Sequence, residues 1–182
     1  MIDFEVMEEG VYSCSNVLTF EEFRGLTDEM YQPHVEFKKE ATIGAHTSHW
    51  IGLRKAISDG LGDSFFLITI GERLKYSAMK YLRRKIYLER VNTNIQLKLH
   101  DSSFHTDGGT NMWTFLVFFN ESWDVQWGGD FIVNHAPGKY RGIPYIPNNG
   151  VLFNAALPHR GCAGNIVCED IRMSIAFTYV EL

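Results

Sequence analysis

His105 and Asp107 stand two residues apart in Phe104-His105-Thr106-Asp107-Gly108. On an extended strand alternate side chains leave from one face, so this imidazole and this carboxylate can reach one ion together. A second imidazole, His159 in Pro158-His159-Arg160, follows 52 residues after Asp107. That is enough chain for strands to cross a barrel and return. Two histidines and one carboxylate with open coordination positions make the facial triad of mononuclear non-haem iron, which activates oxygen. A lone His-x-Asp arises easily by chance, as a surface histidine near a turn aspartate. The ordered set gains specificity from Arg172 in Ile171-Arg172-Met173-Ser174. A guanidinium is planar, always charged and able to form two parallel hydrogen bonds to a carboxylate. Ser174, two residues on, shares its strand face. Metal ligands followed by this cation imply an acidic co-substrate.

Other candidates are weaker. Asn94, Gln96 and Lys98 share one face of an alternating segment whose other face is Ile95, Leu97 and Leu99. They read either as the lining of a cavity or as a solvent-facing edge. Thr114 is a further pocket candidate. His34, His46, His49 and His100 lack a coherent carboxylate partner and read as surface or capping groups. Trp123, Trp127 and Tyr145 read as core packing, with a place flanking a substrate as the alternative; Asp130 reads as a turn anchor and Asn120 as a strand-end support. Arg160, beside a candidate ligand, is open between a place at the site mouth and a structural ion pair.

The elements that position these residues fall into two halves. Thr19-Phe20-Glu21-Glu22 is a capping box opening a helix toward Met30. A weak helical pattern covers about 48–58. A longer helix is expected over about 71–88, with Leu74, Ala78, Tyr81, Leu82 and Ile86 on one stripe. From Val91 the period changes to two. Strands are expected at 94–99, 112–119, 130–133, 151–153 and 171–180, separated by Gly128-Gly129, Pro137-Gly138, Pro144, Pro147 and Asn149-Gly150. The fold class is α+β. A jelly-roll, or double-stranded β-helix, is the natural architecture.

The chain has 182 residues, 45% hydrophobic and 14% aromatic, which suits one globular domain with a real core. Its formal net charge of −5 gives no basic footprint for nucleic acid; Arg83-Arg84-Lys85 reads as a solvated helix face. Three cysteines, Cys14, Cys162 and Cys168, suggest neither a disulfide framework nor a zinc site. The acidic start and the lack of a long apolar run point to a cytoplasmic protein without a membrane anchor.

The stretches Phe104 to Asp107, Thr114 to Asn120, Trp123 to Phe131, Val151 to Asn154 and His159-Arg160-Gly161 resemble the catalytic core of the Fe(II)/2-oxoglutarate-dependent oxygenases, in particular the prolyl-4-hydroxylase-like branch. The resemblance implies one domain over 1–182, with 1–90 mainly helical support and 91–182 the catalytic core. It implies that His105, Asp107 and His159 bind Fe(II), and that Arg172 and Ser174 hold 2-oxoglutarate. Asn94, Gln96 and Thr114 would line the same site, Gln96 standing where prolyl hydroxylases often carry a tyrosine. Relatives that halogenate carry a small residue at the carboxylate position, so Asp107 implies hydroxylation. The implied co-substrates are 2-oxoglutarate and O2, with ascorbate in support. The implied substrate is a prolyl residue in a polypeptide, with a free amino acid or other small metabolite as the alternative. A cupin-like metal enzyme that does not use 2-oxoglutarate, or a binding module with a structural metal, would need no Arg172. The oligomeric state is left open.

Overall fold

Strands that alternate on two buried faces need a partner on each, and this chain supplies both. The computed structural model describes residues 2–30, 38–40, 49–56 and 65–182. Strands β1 (Glu5–Glu8) and β2 (Val11–Cys14) precede helix α1 (Phe20–Met30). Then come β3 (Lys38–Glu40), β4 (His49–Ala56), helix α2 (Phe65–Leu82), β5 (Ile86–Gln96), β6 (Met112–Phe118), β7 (Phe131–Ala136) and β8 (Lys139–Ile143). The chain closes with β9 (Gly150–Asn154), β10 (His159–Gly161) and β11 (Arg172–Glu181). Among the described residues an eight-stranded sheet runs β1-β2-β9-β6-β11-β5-β4-β3, and a three-stranded sheet runs β10-β7-β8. All pairings are antiparallel. This is the expected jelly-roll with helical support.

The central strands β6 and β11 are buried on both faces along most of their length. Ile175, Phe177 and Tyr179 of β11 join Phe115, Val117 and Leu152 in a core completed by Leu67, Ile70, Leu74 and Ala78 of α2. Those helical positions recur at three to four residues, the stripe of a helix laid on a sheet. Gly71 is the point of closest approach. A β-carbon there would lie 2.6 Å from Leu88 Cδ2, and the Tyr179 hydroxyl donates to the Gly71 carbonyl at 2.9 Å. The opposite face of the large sheet meets the small sheet. There Leu116, Phe118, Val151 and Phe153 pack on Phe131, Val133 and Ile143.

The capping box forms as expected: Thr19 N–H donates to Glu22 Oε2 and Glu22 N–H to Thr19 Oγ1. Glu22 also accepts from Arg73 at 2.6 Å, which pins α1 to α2.

Three expectations shift. The long helix spans Phe65–Leu82 rather than 71–88. It ends where Arg83 turns to φ 56°, and Ile86, expected on the helical stripe, is buried as a strand residue instead. The weak helix over 48–58 is replaced at residues 49–56 by β4, which pairs with β5 through Trp50↔Ile95 and Ile51↔Asn94. A marginal helical pattern yields to a free strand edge. Residues 48, 57 and 58 lie outside the described residues, as do His34 and His46. Among the described residues of 1–90, the two helices are joined by strands: β1 and β2 meet the large sheet at β9, and β3 and β4 extend it beyond β5.

Candidate metal and co-substrate site

The segment carrying His105 makes an isolated antiparallel bridge to His159 at the edge of the small sheet. The two residues exchange backbone hydrogen bonds of 3.0 and 2.9 Å. This bridge sets the two imidazole rings with their centroids 4.5 Å apart. Asp107, two residues on, is held by its own N–H to the Ala155 carbonyl at 2.9 Å and by Arg90 Nη2 donating to its carbonyl at 2.7 Å. His105 Nε2 lies 3.7 Å from Asp107 Oδ1, and His159 Nε2 lies 3.5 Å from Asp107 Oδ2. One ligand atom from each residue falls within 4.8 Å of the others.

Each ring is fixed from behind. His105 Nδ1 lies 2.9 Å from the Ser103 carbonyl and His159 Nδ1 2.9 Å from the Leu157 carbonyl. A carbonyl only accepts, so Nδ1 carries the proton and the Nε2 lone pair faces the centre, as metal-ligating histidines require. His159 is wedged between Phe131 and Phe153. Burial and the neighbouring His159 hold the His105 imidazole below its ordinary pKa, against the Ser103 carbonyl and Asp107. It is thus neutral at pH 7. Burial alone would raise the Asp107 carboxyl. The His159 ring beside it, His105 and the Thr114 hydroxyl outweigh this and hold it well below the usual carboxylate range. Two imidazoles and one carboxylate fit a divalent transition metal such as Fe(II).

Arg172 opens β11, opposite Gln96 of β5, and is only 2% exposed. Its Nε donates to the Gly129 carbonyl and its Nη1 to Gln96 Oε1, both at 2.8 Å. The guanidinium lies 4.7 Å from the Tyr145 ring centroid. No carboxylate pairs with it among the described residues, and its buried Nη2 has no hydrogen-bond partner. An uncompensated buried cation is costly. It makes sense where an anion binds. Gly161, two residues beyond His159 on the same face of β10, provides the room. A β-carbon there would lie 2.9 Å from Gln96 Oε1 and 3.2 Å from Arg172 Nη1. The residues present thus fit a dicarboxylate that reaches from the metal to Arg172.

The other sequence candidates distribute around this axis. Ser174 is buried one step inward from Arg172, opposite Asn94. Gln96 is committed to protein: its Nε2 donates to Ser102 Oγ and the Gly161 carbonyl, both at 3.0 Å, so it aligns the guanidinium. Thr114 sits at the metal end, where its hydroxyl donates to Asp107 Oδ2 at 2.9 Å. Asn120 supports the start of β11, accepting from Met173 N–H and donating to the Ile171 carbonyl. Tyr145 packs on Phe118 and Trp123. Arg160 lies over the Phe104 ring, without an ion pair among the described residues. All three cysteines are free. Gly161 was missed in the sequence. The signal available was its place two residues after a candidate ligand, on the same strand face.

No protein-family model and no curated protein matches the sequence. Solved structures do match. A Pseudomonas putida prolyl-4-hydroxylase superimposes with a TM-score of 0.72 at 14% identity, over 95% of this chain and 93% of that one. A Trichoplax adhaerens prolyl hydroxylase, in complex with a hypoxia-inducible-factor oxygen-degradation-domain peptide, gives 0.71 at 17% identity, over 94% and 84%. The non-heme alpha-ketoglutarate-dependent epimerase SnoN of nogalamycin biosynthesis gives 0.71 at 15%, over 94% and 77%. The chain therefore has the double-stranded β-helix fold seen in the Fe(II)/2-oxoglutarate oxygenases, with a His-Asp-His group inside it. The resemblance read from the sequence stands in three dimensions.

Proposed function

We propose that this protein is an Fe(II)- and 2-oxoglutarate-dependent dioxygenase that hydroxylates an unactivated C–H bond. The observation that carries the reading is Arg172: a buried guanidinium with a free Nη2, in the same barrel as a convergent two-histidine, one-carboxylate group. A cupin-like enzyme or a structural metal site leaves that cation without a purpose.

In this reading His105, Asp107 and His159 hold the iron, and the carbonyls of Ser103 and Leu157 keep both imidazoles turned toward it. Arg172 Nη2 takes the distal carboxylate of 2-oxoglutarate, steadied by Gln96, with Ser174 and Asn94 lining the path between. When bound, Fe(II) and 2-oxoglutarate supply the activation of dioxygen that inserts one oxygen atom into the substrate, the keto acid leaving as succinate and carbon dioxide. Phe131 and Phe153 shield the His159 side of the site from water. Asp107 fills the carboxylate position, which favours hydroxylation over halide transfer. Residues 1–182 act as one domain. The substrate is a prolyl residue of a polypeptide, a reading supported by the likeness to two prolyl hydroxylases. A small metabolite is the second reading, supported by the equal TM-score of the epimerase.

Two measurements test this. Anaerobic addition of Fe(II) and 2-oxoglutarate should produce a visible charge-transfer band, and well-folded, iron-loaded protein without that band would refute the assignment. Asp107→Ala should abolish iron-dependent conversion of 2-oxoglutarate to succinate while leaving the fold intact by circular dichroism.

A further inference from the structure

The inner face of the large sheet carries a second set of unpaired polar atoms, away from Arg172. Along β11 the residues on this face are Arg172, Ser174, Ala176 and Thr178, opposite Gln96, Asn94, Asn92 and Arg90 of β5. Thr178 is 1% exposed, yet among the described residues its Oγ1 has no hydrogen-bond partner. Its neighbours on β5 repeat the pattern: Arg90 Nε and Asn92 Oδ1 are also buried and unpartnered. Leaving such an atom unmet costs stability, and buried polar groups are normally satisfied. Three contiguous orphans therefore point to a ligand.

That ligand is not 2-oxoglutarate. Thr178 is six residues from Arg172 along an extended strand, about 20 Å at roughly 3.3 Å per residue. The distal carboxylate of a five-carbon diacid held by Arg172 therefore does not meet it. The row does adjoin the candidate metal group from the other side. Thr178 is the cross-strand partner of Thr114, whose hydroxyl holds Asp107, and Arg90 Nη2 holds the Asp107 carbonyl. At the metal group itself the side chains of His105 and Asp107 are 24% and 21% exposed, while Thr178, like Arg172, is buried.

We propose that Arg90, Asn92 and Thr178 bind the primary substrate through an amino-acyl unit. Arg90 Nε and the Thr178 hydroxyl donate to its acyl oxygen, and Asn92 Oδ1 accepts from an adjacent N–H. The inventory requires both parts: Arg90 Nε can only donate, Asn92 Oδ1 can only accept, and Thr178 does either. Arg90 is already paired with Glu89, its Nη1 donating to Oε2 at 3.2 Å, so the row suits a neutral or zwitterionic group better than a bare anion. In a polypeptide the oxygen is the carbonyl of the modified residue and the N–H that of the next one. In a free amino acid they are the carboxylate and the ammonium. This rests on the dioxygenase reading for the identity of the site, since it assigns the Arg172 end to the co-substrate.

The test uses Mn(II)-loaded protein, which holds 2-oxoglutarate without turnover. Isothermal titration is run with 2-oxoglutarate, then with the common free L-amino acids and their N-acetyl N-methylamides. At least one member should bind, and Thr178→Val, which keeps shape and removes the hydroxyl, should weaken it about tenfold. Asn92→Leu should do the same, with 2-oxoglutarate affinity within about twofold of the parent in both variants. Binding of free acids alone assigns a metabolite source, and of blocked amides alone a polypeptide source. If no member binds, or if both variants bind as the parent does, the proposal is overturned. Loss of the dioxygenase reading would show separately, as no binding of 2-oxoglutarate to the parent.

Discussion

The two faces of the large sheet are built from the same strands and do opposite work. On the face toward α2, Ile175, Phe177 and Tyr179 of β11 lie in a continuous apolar core with Phe115 and Val117. At alternate positions of the same strand, Arg172, Ser174 and Thr178 point into the barrel, all buried and all polar. The first face contributes hydrophobic stabilisation, about 25 cal/mol for each Å² of apolar surface removed from water. The second gives stability up: it keeps an unpaired guanidinium and unpartnered polar atoms where apolar groups would pack. A register slip of one residue would exchange the two sets. The long pairing of β11 with both β5 and β6 therefore protects the site as well as the core.

Substitutions should separate the two faces cleanly. The largest effect is expected on the apolar side: Phe177→Ala should cost about 3–5 kcal/mol of unfolding free energy, read by urea denaturation. Affinity for 2-oxoglutarate in the remaining folded protein should be unchanged. Arg172→Met should do the reverse. It should weaken 2-oxoglutarate binding about 100-fold, the worth of a charge-assisted hydrogen-bond pair, while the melting temperature holds or rises because a buried charge is gone. A melting temperature that falls as far as in Phe177→Ala would show that Arg172 is structural and dissolve the contrast. Thr114→Val is intermediate. It removes the hydroxyl that orients Asp107 Oδ2 and should lower metal affinity about tenfold, measured by competition with a chelating dye.

What the sequence revealed follows the range of each interaction. The capping box at Thr19 and Glu22 is contained in four residues, and it forms. His105 and Asp107 share a face because two residues on a strand always do, and Arg172 and Ser174 follow the same rule. Partnerships set by register were hidden. Thr114 reads as a pocket residue until β6 is aligned with the segment carrying Asp107. Gly161 has no meaning until β10 lies against Gln96 and Arg172. Residues 49–56 read as helix in sequence because the pairing of β4 with β5 lies outside any local window. The helix α2 was displaced by six residues because Ile86 fits a helical stripe and a strand equally well by spacing.

The smallest expected effect lies at the rim of the apolar face, where that face ends in a titratable group. Glu181 accepts from the Trp113 indole at 2.7 Å and from Arg84 Nη1 at 2.8 Å. Burial pushes its carboxyl up, but the indole N–H and the Arg84 guanidinium outweigh this and lower it. A carboxyl lowered on folding stabilises the protein fully above its unfolded pKa and loses that contribution as pH falls through the folded value. Arg84 is half exposed, so solvent screens the pair and the contribution should stay below about 1 kcal/mol. Glu181→Gln should therefore be slightly less stable than the parent at pH 7. The gap should close as pH drops below the usual carboxylate range, read from urea midpoints across pH 3–7. A gap that persists at the acid end would mean that Glu181 acts through packing on Trp113 and not through its charge. The apolar face would then be insensitive to pH up to its edge, leaving titration as a property of the barrel interior alone.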